Sequence, residues 1–262
     1  MKGINLKRLY LFISAIFICL LHLPMVFAKS KPKINPHLKK ATVVIENSNS
    51  LTLVDSGLNK QWVNNCYDSL KLSSMGLAKQ VFDYALEGFT KMNASGKKLN
   101  DQVVSIVDFS KSSSEKRLFI IDLKNYKVLF NTYVAHGVNS GKEFANDFSN
   151  KPESNKSSLG FYKTADTYIG KHGYSLHLMG VEKGVNDNAF RRDIVIHGAG
   201  YVNEGAIRNA GFIGRSWGCP AVPENLSRPI INKIKNGTCL FIFGSDKKYF
   251  KATELIKKNT AA

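Results

Sequence analysis

Beyond Asn100 the chain breaks into short runs of branched and aromatic residues, and nothing else in it limits the fold so tightly. "QVVSIVDF", "KRLFIIDL", "YKVLFNTYVA", "YSLHLMG", "DIVIHG" and "TCLFIFG" are each bounded by turn formers. Side chains branched at Cβ or carrying rings suit a pleated, half-buried surface, so each run predicts a strand. Lys124-Asn125 marks a hairpin turn between two of them. No internal repeat and no alternation of strands with helical patterns is present, which argues against a βαβ architecture. The helical period appears earlier: Leu77, Val81, Tyr84, Ala85, Phe89 and Met92 recur at helical spacing between Ser74 and Gly96. That spacing predicts one N-terminal amphipathic helix whose aromatic stripe packs on the core. The fold class read from these patterns is mainly β (α+β).

The remaining segments set the domain limits. Residues 1–28 carry Lys2, Lys7 and Arg8 before an apolar run, Leu9 to Leu21, and end with Pro24 and the small Ala28. This order is that of a secretory signal peptide, and the run is short for a membrane span. Membrane contact is expected only if this segment stays uncleaved. Residues 29–73 begin Lys- and Pro-rich and read as a basic linker or N-terminal extension; "ATVVIENSNSLTLVD" within it has the pattern of a short hairpin. Residues 74–250 form the predicted main domain, and 251–262 a C-terminal tail. Removing the leader, which holds three basic and no acidic residues, lowers the formal charge from +17 to +14. So basic an exported chain suits anionic envelope polymers. Export and the lack of any groove-reading helix or aromatic RNA platform argue against nucleic acid.

Three cysteines follow the leader: Cys66, Cys219 and Cys239. An odd number in an oxidising compartment leaves at least one thiol unpaired. Cys239 lies in a core-strand pattern and fits as a small buried hydrophobe, while a bridge to Cys66 stays open. Cys219 differs, because Gly218 and Pro220 flank it in a polar loop. A thiol with a pKa near ~8.5 needs a neighbouring base to become a nucleophile at neutral pH. His197, at the end of "DIVIHG", is the nearest in sequence, and Arg215 adds positive potential. The amides around Gly218 and Cys219 are candidates for stabilising a developing oxyanion. Read blandly, Ser216 to Pro220 is a tight turn and His197 a satisfied strand-end histidine.

The joint string "HGAGY…GRSWGCPAV" resembles the L,D-transpeptidase (YkuD-like) cysteine enzymes of bacterial peptidoglycan, and in particular their murein L,D-transpeptidase catalytic-domain branch. The shared pattern is His-Gly, a loop, then Ser-x-Gly-Cys, here His197-Gly198 and Ser216-Trp217-Gly218-Cys219. The resemblance runs from about Gly76 to Gly244 and includes "VDFS", "VAHGVNSG", "FSN", "SSLGFY" and "RRDIVIHGAGYV". It implies a YkuD-like, β-sandwich-type catalytic domain. It implies that Cys219 attacks a stem-peptide carbonyl, that His197 takes the thiol proton, and that the Ser216 hydroxyl or the Trp217 carbonyl orients the imidazole. A neighbouring stem's amine then resolves the thioester. Two departures stand out: Trp217 where the commoner pattern has His or Arg, and Pro220-Ala221 where an Arg usually follows, so Arg215 or Arg192 is expected to supply the cation.

Water in place of the amine gives an L,D-carboxypeptidase or an amidase, and an inert copy of the fold gives a wall-binding protein. Other substrate-binding candidates are His136 and Asn139 in "VAHGVNSG" and Tyr174 in "YSLHLMG". His172 and His177 lie near His197 in sequence but fit no compact zinc spacing, so no metal or cofactor is expected. The predicted location is the periplasm or cell wall.

Overall fold

The computed structural model describes residues 59–97, 99–100 and 103–257. The leader, the hairpin pattern before residue 59 and the end of the tail lie outside them. Among the described residues no helix is long and apolar enough to cross a membrane.

Eight strands form the body: β1 (Val103–Asp108), β2 (Leu118–Asp122), β3 (Lys127–Thr132), β4 (Gly160–Gly170), β5 (Gly173–Gly180), β6 (Val195–Ala199), β7 (Ala221–Pro223) and β8 (Cys239–Phe243). They lie side by side in the order β3-β2-β1-β8-β4-β5-β6-β7, making a mainly β, barrel-like domain as the sequence patterns require. Each of the six apolar runs contains one strand. β1 and β8, at the centre, are buried at every residue. A strand covered on both faces reads as continuous rather than alternating apolar sequence, which is why these two runs are the plainest.

Helix α1 (Lys60–Ser69) and α2 (Lys79–Ala94) precede the sheet, and α3 (Glu204–Ala210), α4 (Glu224–Ile234) and α5 (Lys247–Ala252) interrupt or follow its later strands. α2 is the expected amphipathic helix and buries Val81, Phe82, Ala85, Leu86, Phe89 and Met92. It carries Gly88 at its centre because the Phe161 ring of β4 leaves no room for more: a Cβ there would sit 2.0 Å from the ring. Phe161 in turn stacks on Phe241 of β8, with centroids 4.3 Å apart. A helical glycine costs about 1 kcal/mol in propensity, and this close helix-to-sheet contact offsets it.

The N-terminal extension does more than link. Its end folds as α1, burying Val63, Cys66 and Tyr67. The expected tail also begins inside the fold, since Ile256 is 3% exposed and the Lys257 amide donates to Glu87. Cys66 and Cys239 are both buried free thiols, with Cys239 against the Met92 sulfur at 3.9 Å.

β6 and β7 pair in parallel, with His197 opposite Ala221. Parallel neighbours need a crossover of a dozen or more residues, and residues 200–220, with α3 inside, supply it. This βαβ-like unit is an exception to the sequence reading. The crossover explains how a strand carrying His197 and the turn carrying Cys219, far apart in sequence, come together.

Candidate active site

Cys219 lies two residues before β7, and its thiol sits at the Val195 backbone of β6: the amide donates to Sγ at 3.5 Å. His197 lies two residues further along the same strand. The thiol proton goes to the Asp193 carbonyl at 3.4 Å, and no hydrogen bond joins Sγ to His197. Asp193 holds a left-handed conformation, φ +52°, which Asp tolerates better than most residues. Burial raises the Cys219 pKa; the Val195 amide and the Arg192 charge pull against it without reversing the shift, and Asp193 adds to the rise. Cys219 therefore rests as a thiol.

The His197 ring is 2% exposed and its Nδ1 lies 2.9 Å from the Gly198 carbonyl. A carbonyl only accepts, so Nδ1 carries the proton and Nε2 is left as the basic nitrogen. Burial lowers the His197 pKa, with the nearby His172 acting in the same direction and the Gly198 carbonyl opposing. The imidazole is therefore neutral at physiological pH.

Ser216 does not orient this ring; Gly198 does. The Ser216 hydroxyl instead closes the nucleophile turn, donating to the Cys219 carbonyl at 2.6 Å and accepting from the Gly218 amide at 3.0 Å. Gly218 sits at φ +125°, where a side chain would be strained, and a Cβ would also fall 2.8 Å from the Lys156 carbonyl. Its amide is thus occupied, whereas the Cys219 amide donates to no described residue. Ser157 braces the same turn, donating to the Gly218 carbonyl and accepting from the Gly137 amide.

Arg192 is the cation that acts on the thiol. Its guanidinium is fixed by the carbonyls of Ser149 and Lys156 and the hydroxyls of Ser158 and Ser154. Arg215 turns elsewhere, to the Gly141 carbonyl at 3.1 Å. Trp217 stands 71% exposed beside the nucleophile, with the Lys171 ammonium 4.9 Å above its ring.

The remaining candidates make no described hydrogen bond to the thiol. His136 does not line a cleft: it is fully buried, accepts from Arg117 at Nδ1 (2.7 Å) and donates from Nε2 to Gly141 (3.3 Å). Its backbone still matters, because its carbonyl receives the Ser216 amide at 2.9 Å. Asn139 ties its loop to the Ser154 carbonyl. Tyr174 faces α4, with its hydroxyl on Asn232 and Arg228 over its ring. Sequence reasoning missed Tyr201, whose pKa is pushed up to about 12 by burial first and then by the charge that Cys219 would carry as a thiolate. His172, weighed in the sequence only as a metal ligand, instead stacks its ring on His197. The "HGAGY" string pointed to the first; nothing local pointed to the second. Among the described residues no three His, Cys, Asp or Glu side chains gather into a metal-binding group.

A family model described as an L,D-transpeptidase catalytic domain matches residues 73–243. Similar solved structures include an L,D-transpeptidase (Yku) from Stackebrandtia nassauensis, 15% identical over 70% of this chain and 79% of that one, with a TM-score of 0.34. The helical cell shape determining protein Pgp2 from Campylobacter jejuni is 14% identical, covering 66% of this chain and 61% of that one, with a TM-score of 0.38. An L,D-transpeptidase from Mycobacterium smegmatis is 10% identical over 55% of this chain, with a TM-score of 0.33, and the match spans 59% of the mycobacterial chain. No curated protein matches the sequence.

Proposed function

The chain belongs to the family of L,D-transpeptidase catalytic domains, and from that premise we propose an exported cysteine acyltransferase that crosslinks peptidoglycan stem peptides through a thioester on Cys219. One observation carries the reading: the thiol touches the backbone of Val195, on the strand that carries His197, whose Nδ1 proton is held by Gly198 and whose Nε2 has no described hydrogen-bond partner.

The reading requires Sγ to leave the Asp193 carbonyl and turn toward His197, a change between staggered wells about Cα–Cβ of Cys219. Nε2 accepts the thiol proton, and the thiolate attacks the donor stem's carbonyl carbon. The carbonyl oxygen gains negative charge beside the unused Cys219 amide, a kind of donor typically worth ~3 kcal/mol in the transition state. The C–N bond breaks, and His197 returns its proton to the departing amine. The acceptor stem's amine then gives a proton to Nε2 as it attacks the thioester, and the new amide forms as the thiol is released. The fixed guanidinium of Arg192 favours the thiolate at each turn of the cycle. Met1 to Ala28 would direct the chain out of the cytoplasm, to the periplasm or wall, and its basic surface would favour anionic envelope polymers there.

Purified muropeptides test this by product mass. The wild type is expected to form crosslinked dimers, and Cys219→Ala to form none. Crosslinking by the alanine variant at the wild-type rate sinks the proposal. Trimmed stems without dimers would mean that water is the acceptor, and a freed polypeptide would mean an amidase.

A further inference from the structure

We propose that His172, at the tip of the β4–β5 hairpin, is a positioning residue for His197, its ring holding the imidazole in the plane that directs Nε2 at the nucleophile. The inference rests on the acyl-transfer role given to His197 above.

The two rings lie face to face, centroids 4.4 Å apart with planes 23° from parallel. Imidazole N–H bonds point outward in the ring plane, so stacked rings cannot pass a proton to one another. His172 is therefore no relay, and what it offers is its face. That face is needed, because the one hydrogen bond to Gly198 fixes the tautomer of His197 but leaves the ring free to tilt about it.

Nothing in the hairpin itself requires histidine here. Gly170 pairs with Gly173 across a two-residue tip, and the positive φ of the turn, +73°, falls on Gly173. His172 is exposed, and its nitrogens bond to no described residue.

The hairpin is built to reach the site. Its register shifts between Thr164 and Thr167, and such irregularities sharpen the local twist and redirect a strand's far end. β5 is then anchored to β6 by the pairs Leu176 with Ile196 and His177 with Val195. The neighbouring tip residue, Lys171, meets Trp217 on the nucleophile turn. One two-residue tip thus touches both the strand that carries the base and the loop that carries the thiol.

His172→Ala and His172→Phe test the idea, since phenylalanine keeps a flat ring and removes both nitrogens. In muropeptide crosslinking, the alanine variant is expected to lower kcat about tenfold or more with KM within about twofold, because misaligned reacting groups lose rate steeply. Phenylalanine should recover most of that loss. The rate at which iodoacetamide alkylates Cys219 at neutral pH should follow the same order, and thermal unfolding should be alike in all three proteins. Alanine equal to wild type in kcat and alkylation overturns the proposal, as does phenylalanine no better than alanine. Alkylation needs no acceptor stem, so the expected alkylation order in a protein that forms no crosslinks would reject the substrate assignment and keep the positioning role.

Discussion

His136-Gly137 and His197-Gly198 read alike in the sequence, each a histidine before glycine at the end of an apolar run, and both rings end up almost wholly buried. Their nitrogens separate them. Arg117 donates to Nδ1 of His136 and Gly141 receives its Nε2 proton, so both positions are used. His197 carries its proton on the opposite nitrogen and leaves Nε2 without a described partner. A buried histidine with two partners is a strut, and one with a single partner and an adjacent thiol has chemistry to offer.

The sharpest way to break this contrast is to exchange the two roles by mutation. His197→Ala should lower kcat/KM about a thousandfold, the scale expected for loss of a general base, with little change in thermal stability. His136→Ala should do the reverse. It leaves the fully buried Arg117 guanidinium short of an acceptor, a loss of about 3 kcal/mol, seen as a lowered Tm in calorimetry. Equal effects of the two variants on stability would erase the distinction.

Acid should separate the two sites next. Burial first, then the Arg117 charge, lowers the His136 pKa to about 4, against 6.5 for an ordinary histidine. Between those values the unfolded chain binds a proton that the folded protein refuses, so stability is full above pH 6.5 and falls as pH drops toward 4. The loss is about 3 kcal/mol. His197, also lowered, adds in the same direction. Urea unfolding at pH 7 and at pH 4.5 measures this. In His136→Gln most of the pH dependence should vanish.

The smallest expected effect lies in the turn at Cys219, which the two histidine segments share: the His136 carbonyl holds the Ser216 amide, and the Val195 amide of β6 meets the Cys219 sulfur. Ser216→Ala removes two hydrogen bonds and should cost about 1 to 2 kcal/mol of stability, read by denaturant titration. An unchanged midpoint would mean that backbone contacts alone hold the turn.

Much of this was legible beforehand. β1, β8 and α2 carry strong periods, and their partners merely confirm what apolar content demands. The polar β4, "GFYKTADTYIG", was overlooked because its outer half is exposed and irregular in register. The three-residue β7 is too short to hold a pattern. α4 has Pro229 inside it, which argues against a helix locally, yet Ile230, Ile231 and Ile234 are buried against the sheet and outweigh that cost. Cys219 stood out through its glycine and proline neighbours, whereas Tyr174 and Arg215 were drawn toward the site by sequence proximity that the fold does not respect.

The sequence by itself determined which segments become central strands and which sulfur lies in a tight glycine turn, since those follow from the properties of neighbouring residues. Only the tertiary structure decided which histidine is available as a base. That depends on Arg117 reaching one ring and His172 covering the other, and contacts between distant elements leave no trace in local pattern.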